Sequence, residues 1–114
     1  MKVNITQSTN NPALTIVIVE GRIDAITVPE FEEKTLTLSE TEASGFIIDF
    51  AAVEYISSAG LRAILKIAKS CKAVHKKVAL CNLSATVREV LKISGFDLIL
   101  NICTDLPAAE ASVS

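Results

Sequence analysis

The feature that most constrains the fold is a short apolar run in the middle of the chain, Gly45-Phe46-Ile47-Ile48-Asp49-Phe50. Asp49 is its only charged residue, so a strand formed here has almost no polar face to turn toward water. Such a strand belongs in the centre of a sheet that other elements cover. The run therefore predicts a domain with a buried central strand.

Two earlier segments have the composition of β-strands. Lys2 to Gln7 and Ala13 to Glu20 are rich in β-branched residues, and the polar link Ser8 to Pro12 has the composition of a turn. The second segment is apolar on both faces, and Gly21 ends it. We expect the chain to begin with a β-hairpin.

The first helical pattern follows the hairpin. Thr27-Val28-Pro29-Glu30 fits a capping box, with Thr27 at the N-cap and Glu30 at position N3. Apolar or small residues then recur at helical spacing up to Leu38, although the stretch Thr35 to Ser39 alternates like a strand. We interpret the segment as a helix that begins at Thr27.

The second helical pattern begins around Ser57 or Ser58. Its apolar residues fall on one side, which we expect to face the sheet: Leu61, Ile64, Leu65, Ala68 and Cys71. Arg62, Lys66 and Lys69 recur on another side and form a basic stripe that begins one turn beyond Ser58. A plain solvated face is the alternative interpretation of this stripe.

The remaining elements alternate between strand and helix. Lys77 to Asn82 is predicted as a strand, and Ser84 is a plausible N-cap for a helix that ends at Gly95. Leu98 to Cys103 is predicted as the last strand, and Leu106 to Ala111 as a short helix before a frayed tail.

This order predicts the fold class. Helices between the later strands require parallel βαβ crossovers, whereas the initial hairpin is antiparallel. We expect one α/β domain over residues 1–114, with a mixed, mostly parallel sheet of about five strands and a short terminal helix and tail from about residue 104.

Charge and composition bear on function. Eleven basic and thirteen acidic residues give a formal net charge of -2, which lacks the basic excess of a nucleic-acid-binding protein. Charged residues interrupt the apolar stretch Ala59 to Val74, so it is not a membrane span, and the first twenty residues have no leader pattern. We expect a cytoplasmic protein that binds neither nucleic acid nor membrane.

The cysteines and the histidine do not suggest a metal site. Cys71, Cys81 and Cys103 are odd in number, have no CxxC spacing and lie in apolar segments, as buried cysteines in a reducing compartment do. His75 has only Cys71 at a ligand-like spacing, which would make a lone pair. We expect no metal and no cofactor.

The segment from Asp49 to Arg62 is the most informative for function. A serine at the start of the second helix would lie beside backbone N–H groups that lack partners within the helix, and the helix dipole adds partial positive charge there. A phosphate on Ser57 or Ser58 would be stabilised at that point. The alternative interpretation is that either serine only caps the helix.

Three ordered motifs resemble one family. YISSAGLR at residues 55–62 is similar to the phosphorylation-site signature of bacterial anti-sigma-factor antagonists and of STAS domains generally. Gly21-Arg22-Ile23-Asp24 resembles the family's Gly-x-aliphatic-Asp element, and Leu91 to Phe96 resembles its late Ser/Thr-Gly element. The resemblance covers nearly the whole chain and implies a STAS-type domain.

The resemblance also implies a site. Ser58 is the implied phosphoacceptor because it lies two residues before Gly60, with Ser57 as the alternative, and Asp24 falls on a family position near that site. The implied partner-binding residues are Asp24, Ser57, Ser58, Ala59, Gly60 and Arg62. We interpret Ala59 and Gly60 as small residues that leave the site open to a partner.

The function implied by the resemblance is a switch. The unphosphorylated antagonist binds an anti-sigma factor that is also a serine kinase, which releases a sigma factor. Phosphorylation ends the binding, and a PP2C-type phosphatase resets the cycle. We add the hypothesis that Arg62, four residues beyond Ser58, pairs with the phosphate in the released form.

Two alternatives remain open. STAS domains also serve in sensory or transporter complexes without a sigma-factor output. A receiver-like domain would use Asp49, at the end of a buried strand, as its phosphoacceptor. An enzyme is not expected, since the sequence has no Gly-rich phosphate loop, no nucleophile elbow and no suggestive carboxylate pair.

Overall fold

The computed structural model describes residues 1–35 and 37–114 and has one five-stranded sheet. The strands lie in chain order across it: β1 (Lys2–Gln7), β2 (Leu14–Ile23), β3 (Gly45–Ile56), β4 (Lys77–Cys81) and β5 (Ile102–Cys103). β1 and β2 are antiparallel, and every later pair is parallel. The α/β class, the mixed sheet and the initial hairpin predicted from the sequence are confirmed.

In the described part of the chain, four α-helices accompany the sheet: α1 (Val28–Thr35), α2 (Ser58–Ala73), α3 (Ala85–Ile93) and α4 (Leu106–Val113). Short 3-10 turns cover Leu38–Glu40 and Phe96–Leu98. The pattern of the stretch Thr35 to Ser39 fitted either a helix or a strand. In the structure Thr35 ends α1, and Leu38 and Ser39 lie in the first of these turns. Leu36 lies outside the described residues. No helix among the described residues is long and apolar enough to cross a bilayer.

The helices lie on both faces of the sheet. Because each new parallel strand is added on the same side, right-handed crossovers place their helices on one face. Phe31 of α1, Ile64 of α2 and Leu91 of α3 accordingly share one buried core with Val17 and Ile48. The other face of the sheet is left for α4.

The C-terminal residues are more ordered than predicted. Ala109 and Val113 of α4 are buried against Leu14 and Ile47, so the expected frayed tail was wrong. The buried Glu110 carboxylate also accepts a hydrogen bond from Ser8 at the end of the hairpin. The small residues that suggested disorder instead let α4 lie close to the sheet.

Two strand boundaries also differ from prediction. The last strand is only Ile102–Cys103, because Leu98 ends a 3-10 turn that Ile99 caps, and the two residues are 89% and 64% exposed. β3 is longer than the apolar run Gly45 to Phe50 that predicted it, and it continues to Ile56. This second difference determines the geometry of the functional site.

Candidate functional site

The ends of β2 and β3 project together beyond the rest of the sheet. β4 ends at Cys81, which lies opposite Asp49, whereas β2 and β3 stay paired as far as Ile23 and Ile56. The β2–β3 register shifts twice in this extension, each time by one extra residue in β3. The extension therefore carries the two motif segments to the same place, one at the end of each strand.

The start of α2 distinguishes its two serines. Ser57 is the N-cap: its side-chain oxygen accepts a hydrogen bond from Gly60 N at 3.3 Å, and its own N–H donates to Ile23 O at 2.9 Å. Ser58 is the first helical residue and is exposed, and no hydrogen bond among the described residues uses its hydroxyl. The Ser57 hydroxyl is thus engaged in the helix cap, whereas the Ser58 hydroxyl is exposed and can interact with another molecule.

Gly60 has a different role from the one we predicted. It is buried, and a Cβ atom added to it would lie 2.7 Å from Ile23 O and 2.7 Å from Ile56 Cγ1. Gly60 therefore lets the first turn of α2 approach the end of β2 closely, and it does not itself offer surface to a partner. Ala59 is half-buried beside it.

The loop after β2 lies next to this helix start. Asp24 Oδ1 accepts hydrogen bonds from Ile26 N at 3.0 Å and Thr27 N at 3.1 Å. The bond from Thr27 lowers the pKa of Asp24 below its ordinary value of 3.8, against a smaller opposing effect of desolvation. Asp24 is therefore an ionised carboxylate at neutral pH, and its first role is to shape this loop.

Thr27 also supports the loop. Its hydroxyl donates to Arg22 O at 2.7 Å and accepts from Asp24 N at 3.0 Å. α1 begins at Val28, one residue after the predicted start at Thr27, and the hydroxyl of Thr27 is not bonded to Glu30 among the described residues. The capping box was the wrong interpretation, since Thr27 ties the end of β2 to the loop instead.

Arg22 bridges the two strand ends. Its guanidinium lies 4.5 Å from the centroid of the Tyr55 ring, and its Nε lies 3.5 Å from Asp24 Oδ2. Both pairs are partly exposed, so solvent screens them and each is weak. Their effect is to hold the Asp24 loop in position relative to β3.

A groove between α1 and α2 extends from this region. Its lining consists of small or apolar residues at the base and charged residues at the rim: Val28, Ala59, Ala63, Glu32, Arg62 and Lys66. Lys66 forms an ion pair with Glu32 across the groove at 3.3 Å. Two ion pairs are found among the described residues, this one and Arg22–Asp24, and Arg62 belongs to neither. The basic stripe is thus partly neutralised, with Arg62 exposed next to Ser58.

We use the name Ser58 surface for Asp24, Ile26, Ser58, Ala59 and Arg62. Sequence reasoning missed Ile26, whose side chain is 88% exposed in the loop before α1. The available signal was an isoleucine within a turn, where no strand or helix periodicity requires it. Val28 and Glu32, which line the adjoining groove, were also not predicted as site residues.

Asp49 lies apart from this surface. It is the fifth residue of β3 rather than its last, and its carboxylate accepts hydrogen bonds from Ala51 N at 2.9 Å and Asn82 Nδ2 at 3.2 Å. Along the strand it is roughly 20 Å from the start of α2. The receiver-like interpretation required Asp49 at a strand end, and that premise was wrong.

The family-model comparison matches residues 3–109 to the STAS domain. The chain belongs to the STAS domain family. The predicted resemblance is therefore confirmed over nearly the whole chain.

Individual relatives agree with this assignment. BtrV of Bordetella bronchiseptica, a protein named provisionally as an anti-sigma factor antagonist, is 32% identical over 97 residues, which are 85% of this chain and 84% of BtrV. The crystal structure of an anti-sigma factor antagonist from Mycobacterium paratuberculosis has a TM-score of 0.87 at 20% identity and covers 98% of this chain and 92% of its own.

The antagonist SpoIIAA has the same fold and has been solved in two states. Its unphosphorylated form has a TM-score of 0.77 at 20% identity, covering 97% of this chain and 96% of its own. Its phosphorylated form, from Bacillus, has a TM-score of 0.70 at 21% identity, covering 97% and 99%. The prediction of an anti-sigma factor antagonist agrees with these relatives.

Proposed function

We propose that this STAS domain protein is an anti-sigma factor antagonist whose binding is switched by phosphorylation of Ser58. The observation that carries the proposal is the division of roles between two adjacent serines. Ser57 is committed to Gly60 N, whereas Ser58 is exposed at the first position of α2. A kinase can reach the Ser58 hydroxyl without first breaking a helix cap.

The proposed partner is an anti-sigma factor with ATP-dependent serine kinase activity. In the unphosphorylated state the antagonist binds this partner through the Ser58 surface, and the sigma factor is released. The partner then transfers the γ-phosphoryl group of ATP to Ser58 Oγ, the hydroxyl loses its proton, and ADP leaves. A PP2C-type phosphatase hydrolyses the phosphate and restores the binding form.

The cycle gives the antagonist no catalytic step of its own. It acts in the cytoplasm, where the kinase and ATP are present. The Ser58 surface is suited to a protein partner, because the exposed Ile26 lies in the loop that Asp24 shapes, and Ala59 and Arg62 line the groove beside the start of α1. Such a patch offers an apolar contact inside a polar rim.

Phosphorylation acts through charge and desolvation. A phosphoserine adds about -1.5 to -2 charges at pH 7, and the free N–H groups of the first turn of α2 stabilise it in the unbound protein. In the complex the same phosphate would be desolvated against a surface fitted to a hydroxyl. A shift from about 99% to about 1% bound requires a change of roughly four orders of magnitude, or about 5.5 kcal/mol.

The binding test compares two variants of Ser58 with a matched control. Ser58→Ala should hold the kinase partner persistently in the presence of ATP, whereas Ser58→Asp should bind weakly. The control is Ala85→Asp, which places the same charge at the first position of α3. Isothermal titration with a candidate kinase from the same genome measures all three affinities.

Ser58→Ala and Ala85→Asp should both bind the kinase tightly, and Ser58→Asp should bind it far more weakly than either. Equal affinities for Ser58→Ala and Ser58→Asp would contradict the switch. If none of the variants, nor the unaltered protein, binds such a kinase, the domain instead serves a sensory or transporter complex without this output.

A further inference from the structure

The two edges of the sheet are protected to different degrees. β5 has only two residues, Ile102–Cys103, and α4 packs beside it. β1 is six residues long, contains no proline, and keeps an unbroken register with β2 from Lys2 to Gln7. Long, regular and uncovered edges are the ones that accept a further strand.

The hydrogen-bond phase of the hairpin shows which β1 groups are free. Ser8 N donates to Leu14 O, and Ala13 O accepts from Ser44 N on the opposite side of β2. In an antiparallel ladder alternate residues point inward and outward. The even-numbered residues of β1 therefore bond to β2, and the N–H and C=O groups of Val3, Ile5 and Gln7 point away from the sheet.

The side chains of β1 are also compatible with a partner strand. Val3 packs against the core below α1 to α3, whereas Ile5, on the same face, is 47% exposed at the edge of that core. Lys2 is the only charged side chain of the strand and lies at its end. The middle of β1 thus carries none of the charges that usually protect an edge.

We propose that β1 pairs antiparallel with β1 of a second copy, about a two-fold axis at Ile5. This register pairs Val3 with Gln7 and Asn4 with Thr6, and it places the two Ile5 side chains opposite each other. The outward backbone groups of Val3, Ile5 and Gln7 then satisfy one another in both copies, and the sheets of the two copies become continuous.

A second copy is favoured over an unrelated strand because the sequence is self-complementary in this register. A two-fold axis perpendicular to the sheet keeps each face on its own side, so the half-exposed Ile5 meets its own counterpart and gains apolar contact. Lys2 lies opposite Ser8, so the like charges of the two lysines are kept apart. The inference does not depend on the proposed phosphorylation of Ser58.

Sedimentation equilibrium of the full chain tests the pairing. The unaltered protein should show a reversible monomer–dimer equilibrium. Ile5→Lys places two ammonium groups at the two-fold axis and should raise the dissociation constant by about tenfold or more. The matched control is Ile93→Lys, which changes an isoleucine that is 78% exposed on α3 and should leave the constant unchanged.

A monomer at millimolar concentration, or an equal shift in both variants, would overturn the proposal. Cross-linking provides a second test that does not introduce charge. In a Cys103→Ser background, Ile5→Cys should give a covalent dimer with a short bismaleimide, and Ile93→Cys should not. Equal cross-linking of the two variants would likewise overturn it.

Discussion

Helices α2 and α3 begin in the same way, but only α2 has the features of a switch. α2 and α3 each follow a parallel strand, and each is capped by a serine. Ser57 accepts from Gly60 N at 3.3 Å, and Ser84 accepts from Val87 N at 3.2 Å. Capping therefore cannot be what distinguishes the functional site.

The differences lie at the positions after the cap. The first helical residue is Ser58 in α2 and Ala85 in α3, and the residue four positions later is Arg62 in α2 and Glu89 in α3. The third residue of α2 is Gly60, which lets the helix approach β2 closely. A second hydroxyl, a nearby cation and close packing are thus the features that separate the proposed phosphorylation site from an ordinary helix start.

The largest effect on stability is expected at Gly60. In Gly60→Ala the new methyl group meets Ile23 O, which cannot move because it accepts the N–H of Ser57. The gain in helix propensity is about 1 kcal/mol, and the overpacking cost is larger, so unfolding free energy should fall by about 1 to 2 kcal/mol. Urea denaturation measures the change.

The control for this variant is Thr86→Ala, at an exposed position of the first turn of α3, which should change stability by no more than about 0.5 kcal/mol. A Gly60→Ala protein as stable as the unaltered one would show that the close approach of α2 to β2 is not required.

The next effect separates the two serines from each other. Ser57→Ala and Ser84→Ala should each lower unfolding free energy by about 1 kcal/mol, because each removes a helix cap. Ser58→Ala should change it by no more than about 0.5 kcal/mol. If thermal or urea denaturation showed equal losses for Ser57→Ala and Ser58→Ala, Ser58 would be a structural residue.

The smallest effect concerns Arg62 in the phosphorylated protein. A cation one turn away favours the dianion, so Arg62→Ala should raise the second pKa of phosphoserine 58 by about 0.2 to 0.4, equivalent to about 0.3 to 0.5 kcal/mol. Phosphorus NMR titration measures this pKa. Lys69→Ala, farther along α2, should leave it unchanged; an unchanged pKa in Arg62→Ala would exclude the proposed pairing.

Much of this architecture could be predicted from the sequence. The hairpin and the start of α3 at Ser84 follow from local composition and capping chemistry, which act within a few residues. The position of Ser58 at the start of α2 followed from the same kind of signal. These features depend on neighbours in the chain, so the sequence contains the information directly.

Features that depend on distant packing were not predictable. The extension of β3 to Ile56 depends on its pairing with β2, and two added residues in β3 obscure the strand alternation. The burial of Gly60 depends on Ile23, far away in the chain. The order of α4 depends on the sheet face that covers Val113, and no local pattern specifies that contact.

The most direct test is to map the phosphate by mass spectrometry after incubation with ATP and the cognate kinase. The account predicts stoichiometric label on Ser58, none in Ser58→Ala, and label retained in Ser57→Ala despite its weaker helix cap. Label on Ser57 or on Asp49, or full labelling of Ser58→Ala, would contradict the claim that Ser58 is the switch.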